Sequence, residues 1–186
     1  MKKYQIIYAD PPWSYDSGFL KRNWGGKYPQ MKIEDICKLQ IKDISETNSI
    51  LFLWTTFPKL LQGLKVMESW GFKYRCVAFT WVKRNKKSPT WFWGMGHWTR
   101  ANAEVCLLGV KGKPRRVSAS VHSLIESSIE EHSKKPNCVK DRIIQLMGDL
   151  PRIELFARQK TEGWDVFGNE VEGSIDLGQY KNEPKT

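Results

Sequence analysis

Asp10, Pro11, Pro12 and Trp13 form the tetrapeptide of this chain best equipped to do chemistry. They follow a short apolar, β-branched run, Tyr4 to Ala9, which predicts a buried parallel strand. Doubly wound folds bind their ligands at the carboxyl ends of such strands. The Asp10 carboxylate and the Pro11 carbonyl make two acceptors that one amine can reach. An amine conjugated to an aromatic ring, such as the exocyclic nitrogen of adenine, is a poor nucleophile because its lone pair is delocalised. Accepting hydrogen bonds from both of its N–H groups draws that nitrogen towards tetrahedral geometry and frees the lone pair for attack. The two prolines fix φ and remove donors, which leaves carbonyls to point into the site. Trp13 is placed to stack on an extruded base. The structural alternative is an Asp-Pro turn followed by a packed tryptophan.

A second group gathers cations and indoles. Lys83, Arg84, Lys86 and Lys87 lie close in sequence to Trp91, Trp93, His97, Trp98 and Arg100. A solvated run of charge has no need of so many indoles, whereas phosphates and unstacked bases need both, so this stretch reads as a nucleic-acid clamp. His97 reads as a structural hydrogen-bonder, because an amine can lose its proton after attacking and needs no strong base. Glu104, just after Asn102, is positioned to anchor the clamp near the catalytic tetrapeptide. The net charge of +10 suits a polyanionic partner.

Further elements must position these residues. Ile33–Leu39 reads as a short helix, Ser49–Thr55 as a second buried strand, and Pro58–Trp70 as an amphipathic helix ending at Gly71. Phe72–Val82 and Glu104–Val110 read as strands, Cys138–Met147 as a helix and Arg152–Ala157 as a last apolar strand; residues 118–135 are ambiguous between strand, loop and short helix. Strands alternating with helices predict an α/β fold with a parallel or mixed sheet covered on both faces. One domain over residues 1–172 is expected, followed by a polar tail, 173–186.

Composition removes several classes. The longest apolar runs are too short to span a bilayer, and the start lacks the apolar segment and cleavage site of a signal peptide. The four cysteines are widely scattered and the three histidines are not spaced near them. No metal site is therefore expected, and free thiols suit a reducing cytoplasm.

YADPPW at Tyr8 to Trp13, FLWTT, the W-V-K of Trp81 to Lys83, GHW at Gly96 to Trp98, ExCLLGVKG at Glu104 to Gly112, SKKP at Ser133 to Pro136, IELFAR at Ile153 to Arg158 and WxxxGN at Trp164 to Asn169 occur in that order. Together they resemble the MT-A70-like family of adenine methyltransferases, which includes eukaryotic messenger-RNA methylating enzymes and bacterial and phage DNA enzymes. The resemblance implies a Rossmann-like, three-layer methyltransferase fold with permuted (β-class) motif order, and S-adenosylmethionine as cofactor. It implies that Asp10 sits between cofactor and target amine, and that Lys135 meets the cofactor's carboxylate. Phe156 and Arg158 would line the cofactor pocket, and Asn169 would bond the ribose. Thr161 and Glu170 stand where the family makes further ribose or adenine contacts, although Gln159-Lys160-Thr161 replaces the Pro-His-Asn common in eukaryotic members, and Glu170 replaces a glutamine. Tyr28 and Trp81 fall at positions on the target side.

The expected reaction is methyl transfer to adenine N6, with DNA the favoured polymer and RNA the alternative, since both offer the same amine. A catalytically silent nucleic-acid-binding subunit is the rival from another class. No target-recognition domain is visible, so specificity would be loose or come from a homodimer or a partner subunit.

Overall fold

The structure, a computed structural model, describes residues 2–15, 30–96, 98–130, 134–175 and 177. Seven strands form one sheet in the order β5-β3-β4-β2-β1-β6-β7. They are β1 (Tyr4–Ala9), β2 (Ser45–Thr55), β3 (Lys73–Arg84), β4 (Glu104–Lys111), β5 (Leu124–Ser128), β6 (Arg152–Leu155) and β7 (Asp165–Phe167). The helices are α1 (Ile33–Lys38), α2 (Ile41–Ile44), α3 (Leu60–Ser69) and α4 (Cys138–Met147).

Period-two alternation divides the core between the two faces of the sheet. Ile7, Ala9, Leu51, Leu53, Val105 and Leu107 pack with Ile36 of α1, Ile41 and Ile44 of α2, and Val66 and Met67 of α3. Their neighbours Ile6, Tyr8, Phe52, Trp54, Cys106 and Leu108 pack with Val139, Ile143 and Met147 of α4. Helices therefore cover both faces of the sheet, giving the three layers expected of a Rossmann-like methyltransferase fold. In α3 the buried set Gly63, Val66 and Met67, continued by buried Trp70, recurs at helical spacing. A Cβ on Gly109 of β4 would lie 2.7 Å from Met67 Sδ and 3.1 Å from Phe72 Cβ, so a glycine there lets α3 settle on the sheet.

Some boundaries differ from the sequence expectation. β2 starts at Ser45, earlier than its apolar run, because β1 pairs Tyr4 with Ser45 before a register shift. A 3₁₀ turn, Phe57–Lys59, precedes α3, consistent with a proline at its start. The ambiguous 118–135 stretch contains β5, parallel to the far end of β3. β7 has three residues, too few for a periodic signal, and is held by its ladder to β6. Packing also continues past residue 172: Leu177 is buried and Ile175 lies against the core. No helix among the described residues is long and apolar enough to cross a membrane.

Strand direction is what builds the site. β1 runs parallel to β2 and β6, β6 to β7, and β3 to β5, while β4 is antiparallel to both β2 and β3. Every strand except β4 thus points the same way. The carboxyl ends of β1, β2, β3, β6 and β7 share one edge of the sheet with the amino end of β4. Chain order reverses around β1, which makes this edge the topological switch point.

Candidate active site

Asp10 leaves the end of β1, Lys83 lies near the end of β3, and Glu104 begins β4, so the topology gathers all three at one edge. Lys135, just ahead of α4, joins them. Its Nζ donates to Asp10 Oδ2 at 2.7 Å and lies 3.3 Å from Glu104 Oε2, and Glu104 Oε1 accepts from Lys83. Cations and carboxylates therefore alternate along Lys83–Glu104–Lys135–Asp10. The Lys135 side chain is 10% exposed and that of Asp10 29%, so the lysine is sunk into the site while the Asp10 carboxylate keeps an open side.

Burial and pairing compete within this chain of charges. Burial pushes the Asp10 carboxyl above the ordinary carboxylate range; Lys135 pulls it back without cancelling the rise, and Glu104 adds to it. At Glu104 burial acts in the same upward direction, but Lys135 and Lys83 outweigh it and hold the carboxyl below its usual value. For Lys135, burial disfavours the ammonium, yet Asp10 and Glu104 more than compensate and keep it charged. A carboxylate so poorly solvated is a strong acceptor for an incoming N–H group.

The tetrapeptide is fixed from beneath. The Pro11 carbonyl accepts the Trp13 amide at 2.9 Å, and the Pro12 carbonyl accepts the Met31 amide at 2.9 Å. A carbonyl has two lone pairs, so Pro11 retains one for a ligand. Trp13 corrects the sequence expectation. Its indole is buried in the core and donates to the Trp54 carbonyl at 3.1 Å, tying the turn to the end of β2 rather than offering a face to a base. Trp54 in turn donates to the Tyr8 hydroxyl at 2.8 Å, and Lys135 Nζ lies 5.6 Å from the centre of the Trp54 ring.

The residues expected on the cofactor side lie around the exits of β6 and β7. Phe156 has φ of 63°, a strained value for a non-glycine residue, immediately after β6. A Cβ on Gly168 would lie 2.0 Å from the Ala157 carbonyl oxygen, so glycine is required where the two exits cross. Asn169 follows that crossing. Arg158 Nε is 3.8 Å from Glu170 Oε1, linking the two turns. Thr161 accepts from Lys140 Nζ at 2.6 Å, and the same ammonium is 2.5 Å from Glu154 Oε2, so the threonine hydroxyl is engaged by the protein itself.

On the target side the sequence expectation divides. Trp81, on β3, is buried in the cluster on the α4 face of the sheet and donates to the Ser127 carbonyl at 3.4 Å, so the structure places it in packing. Lys83 is turned inward onto Glu104. Arg84 pairs with Glu126, donates to the Pro89 carbonyl at 2.7 Å and lies 3.5 Å above the Trp91 ring. Arg100 donates to the Gly94 and Trp93 carbonyls, both at 2.9 Å. These three cations shape the loop, whereas Lys86, Lys87 and Trp98 are exposed on it. Tyr28 and His97 lie outside the described residues.

Sequence reading passed over Tyr8, Tyr15, Trp54 and Lys140. Tyr8 shares Asp10's parity two residues earlier, which was the available signal. The hydroxyl of Tyr15 bonds Thr56 Oγ1 at 2.8 Å, just beyond β2. Burial raises the Tyr15 phenol, and Asp10, Glu104 and Lys135 all bear on it electrostatically. Nothing in the local sequence marks Lys140 or Trp54, whose partners come from other elements.

The MT-A70 family pattern matches residues 4–170. The type II methyltransferase M.MunI of Mycoplasma sp is 36% identical over 190 residues, covering 91% of this chain and 78% of that protein. The N(6)-adenosine-methyltransferase MT-A70-like of Arabidopsis thaliana is 30% identical over 90% of this chain and 24% of its own length. For the N(6)-adenosine-methyltransferase catalytic subunit METTL3 of Homo sapiens the identity is 28%, over 92% of this chain and 29% of that protein. The chain thus spans most of the first relative and under a third of the other two. With that match running the length of the sheet that carries Asp10, Glu104 and Lys135, this chain belongs to the MT-A70 family.

Proposed function

We propose that this chain transfers a methyl group from S-adenosylmethionine to the exocyclic amine of adenine in DNA. The observation that carries the reading is Asp10: a desolvated carboxylate with one open side, at the switch point of the sheet, followed by a turn whose carbonyls are fixed in place. Similarity favours the DNA branch of the family, since the identity is 36% to the type II methyltransferase M.MunI and 28% to human METTL3.

The donor set fits the cofactor. A carboxylate (Asp10) suits a sulfonium cation, an ammonium (Lys135) suits the methionine carboxylate, and Asn169 with the Phe156 turn suits a ribose and adenine. When bound, S-adenosylmethionine supplies an electrophilic methyl carbon. With it bound, Asp10 and the Pro11 carbonyl would accept hydrogen bonds from the adenine amine and localise its lone pair, which would form the new N–C bond as the methyl–sulfur bond breaks and its electron pair stays on the departing sulfur. The positive charge that develops on nitrogen is stabilised by the Asp10 carboxylate, and the surplus proton then leaves to solvent. Lys135 opposes the rise that burial gives the Asp10 pKa.

The test is incubation with tritiated S-adenosylmethionine and matched duplex DNA, single-stranded DNA and RNA, with Asp10→Ala as control, followed by mass spectrometry of the nucleosides. N6-methyladenine in DNA with wild type only is the expected result. Label in RNA alone would change the polymer and leave the chemistry standing. Wild-type protein that takes up the cofactor and labels nothing would defeat the reading, and one that neither takes up the cofactor nor labels anything would favour a silent subunit. Asp10→Ala should lower kcat about 10²-fold or more while cofactor affinity changes little, because the carboxylate acts mainly in the transition state.

A further inference from the structure

The excursion between β3 and β4 carries a tip that no described residue covers, on a stem that is thoroughly built. The Asn102 side chain accepts from the Lys83 amide at 2.8 Å and donates to the Lys83 carbonyl at 3.0 Å. Above it, Gly94 and Ala101 pair across the stem, and Arg100 ties down the carbonyls of Trp93 and Gly94. Beyond that clasp Trp98 is 99% exposed and Met95 65%. A tryptophan so placed has both ring faces open. Trp91, lower on the stem, has one face covered by Arg84 at 3.5 Å.

The difference separates two kinds of contact. A platform that stacks one unpaired base needs a single open face with support behind it, as at Trp91. A wedge that enters a base stack needs two open faces, because it is sandwiched between neighbouring bases. We propose that Trp98 is such a wedge, filling the gap left in a double helix when the target adenine is turned out, so that the substrate is duplex rather than unpaired DNA. This deepens the adenine-methylation reading and rests on it. Turning a base out of a duplex leaves a hole between two base faces, and an indole restores stacking on both sides. Lys86 and Lys87, exposed at the stem, supply charge for the flanking phosphates. The returning strand enters β4 at Glu104, six residues after Trp98, and Glu104 is bound to Lys135 beside Asp10. Six residues reach at most about 20 Å, less than one turn of DNA at ~34 Å, so wedge and catalytic carboxylate can serve one site.

The experiment uses duplex and single-stranded oligonucleotides of one adenine-containing sequence, each also made with 2-aminopurine at the adenine. Anisotropy reports binding and 2-aminopurine emission reports departure of the base from the stack. Wild type should bind the duplex and raise its emission. Trp98→Ala should lose about tenfold more affinity on duplex than on single strand and lose the emission rise, whereas Trp98→Phe, which keeps a ring, should retain most of both. Equal losses on the two polymers, or a wild type that prefers the single strand or leaves the emission unchanged, would overturn the wedge. Methylation is scored in parallel: a duplex-selective loss of binding without any methyl transfer by wild type would remove the enzymatic reading and keep the wedge.

Discussion

Asp10 is held between two opposed influences, and their balance has a consequence in pH. Burial raises its pKa and Lys135 lowers it, with a net rise. As pH falls through that raised value the carboxyl gains a proton and ceases to be an anionic acceptor. Turnover should therefore fail on the acid side at a pH above the ordinary aspartate value of about 3.9. Lys135→Gln removes the cation that opposes burial, so the acid limb of kcat, measured at saturating cofactor, should move to still higher pH. A limb that stays in place or moves down would mean that Lys135 does not govern Asp10. Glu104 runs the other way: its folded pKa is lowered, so it favours the fold above the usual glutamate value and that contribution is lost as pH falls.

Among the elements, α3 lies close against β4 at Gly109. A methyl group there would press on Met67 and Phe72 at 2.7 Å and 3.1 Å, and neither the helix nor the strand can withdraw without opening its own packing. Gly109→Ala should cost about 1–3 kcal/mol in denaturant unfolding. Since Met67 is the nearest obstacle, Met67→Ala should cost less in the Gly109→Ala background than in wild type, a coupling that a double-mutant cycle measures. On the opposite face, Lys140 joins α4 to β6 through Glu154 and to the following turn through Thr161. Lys140→Met leaves Glu154 without its partner, and a loss of about 3 kcal/mol in stability is expected for a mostly buried pair. An unchanged unfolding midpoint would show that the pair is not coupled to the fold.

Across the whole molecule, a net charge of +10 should draw the protein to any polyanion, and the exposed Lys86 and Lys87 are where that attraction meets the target loop. Changing both to alanine should weaken binding on every sequence and reduce the slope of log K against log salt by about two. An unchanged slope would place the phosphate contacts elsewhere. What the sequence determined by itself was local: β1 and the tetrapeptide after it, the apolar runs of strands covered on both faces, the helical spacing of α3, and the family blocks. Each of these rests on periodicity or proline stereochemistry that neighbouring residues specify between them. The tertiary structure decided the rest. Lys135 reaches Asp10 across 125 residues because α4 begins at the same edge where β1 ends. Glu104 belongs to that edge because β4 alone is reversed. Trp13 and Trp81 are core residues while Trp98 stands in solvent, and an indole reads the same in sequence whichever way it faces. Which side of a packed sheet a ring lands on depends on what the other elements bring against it.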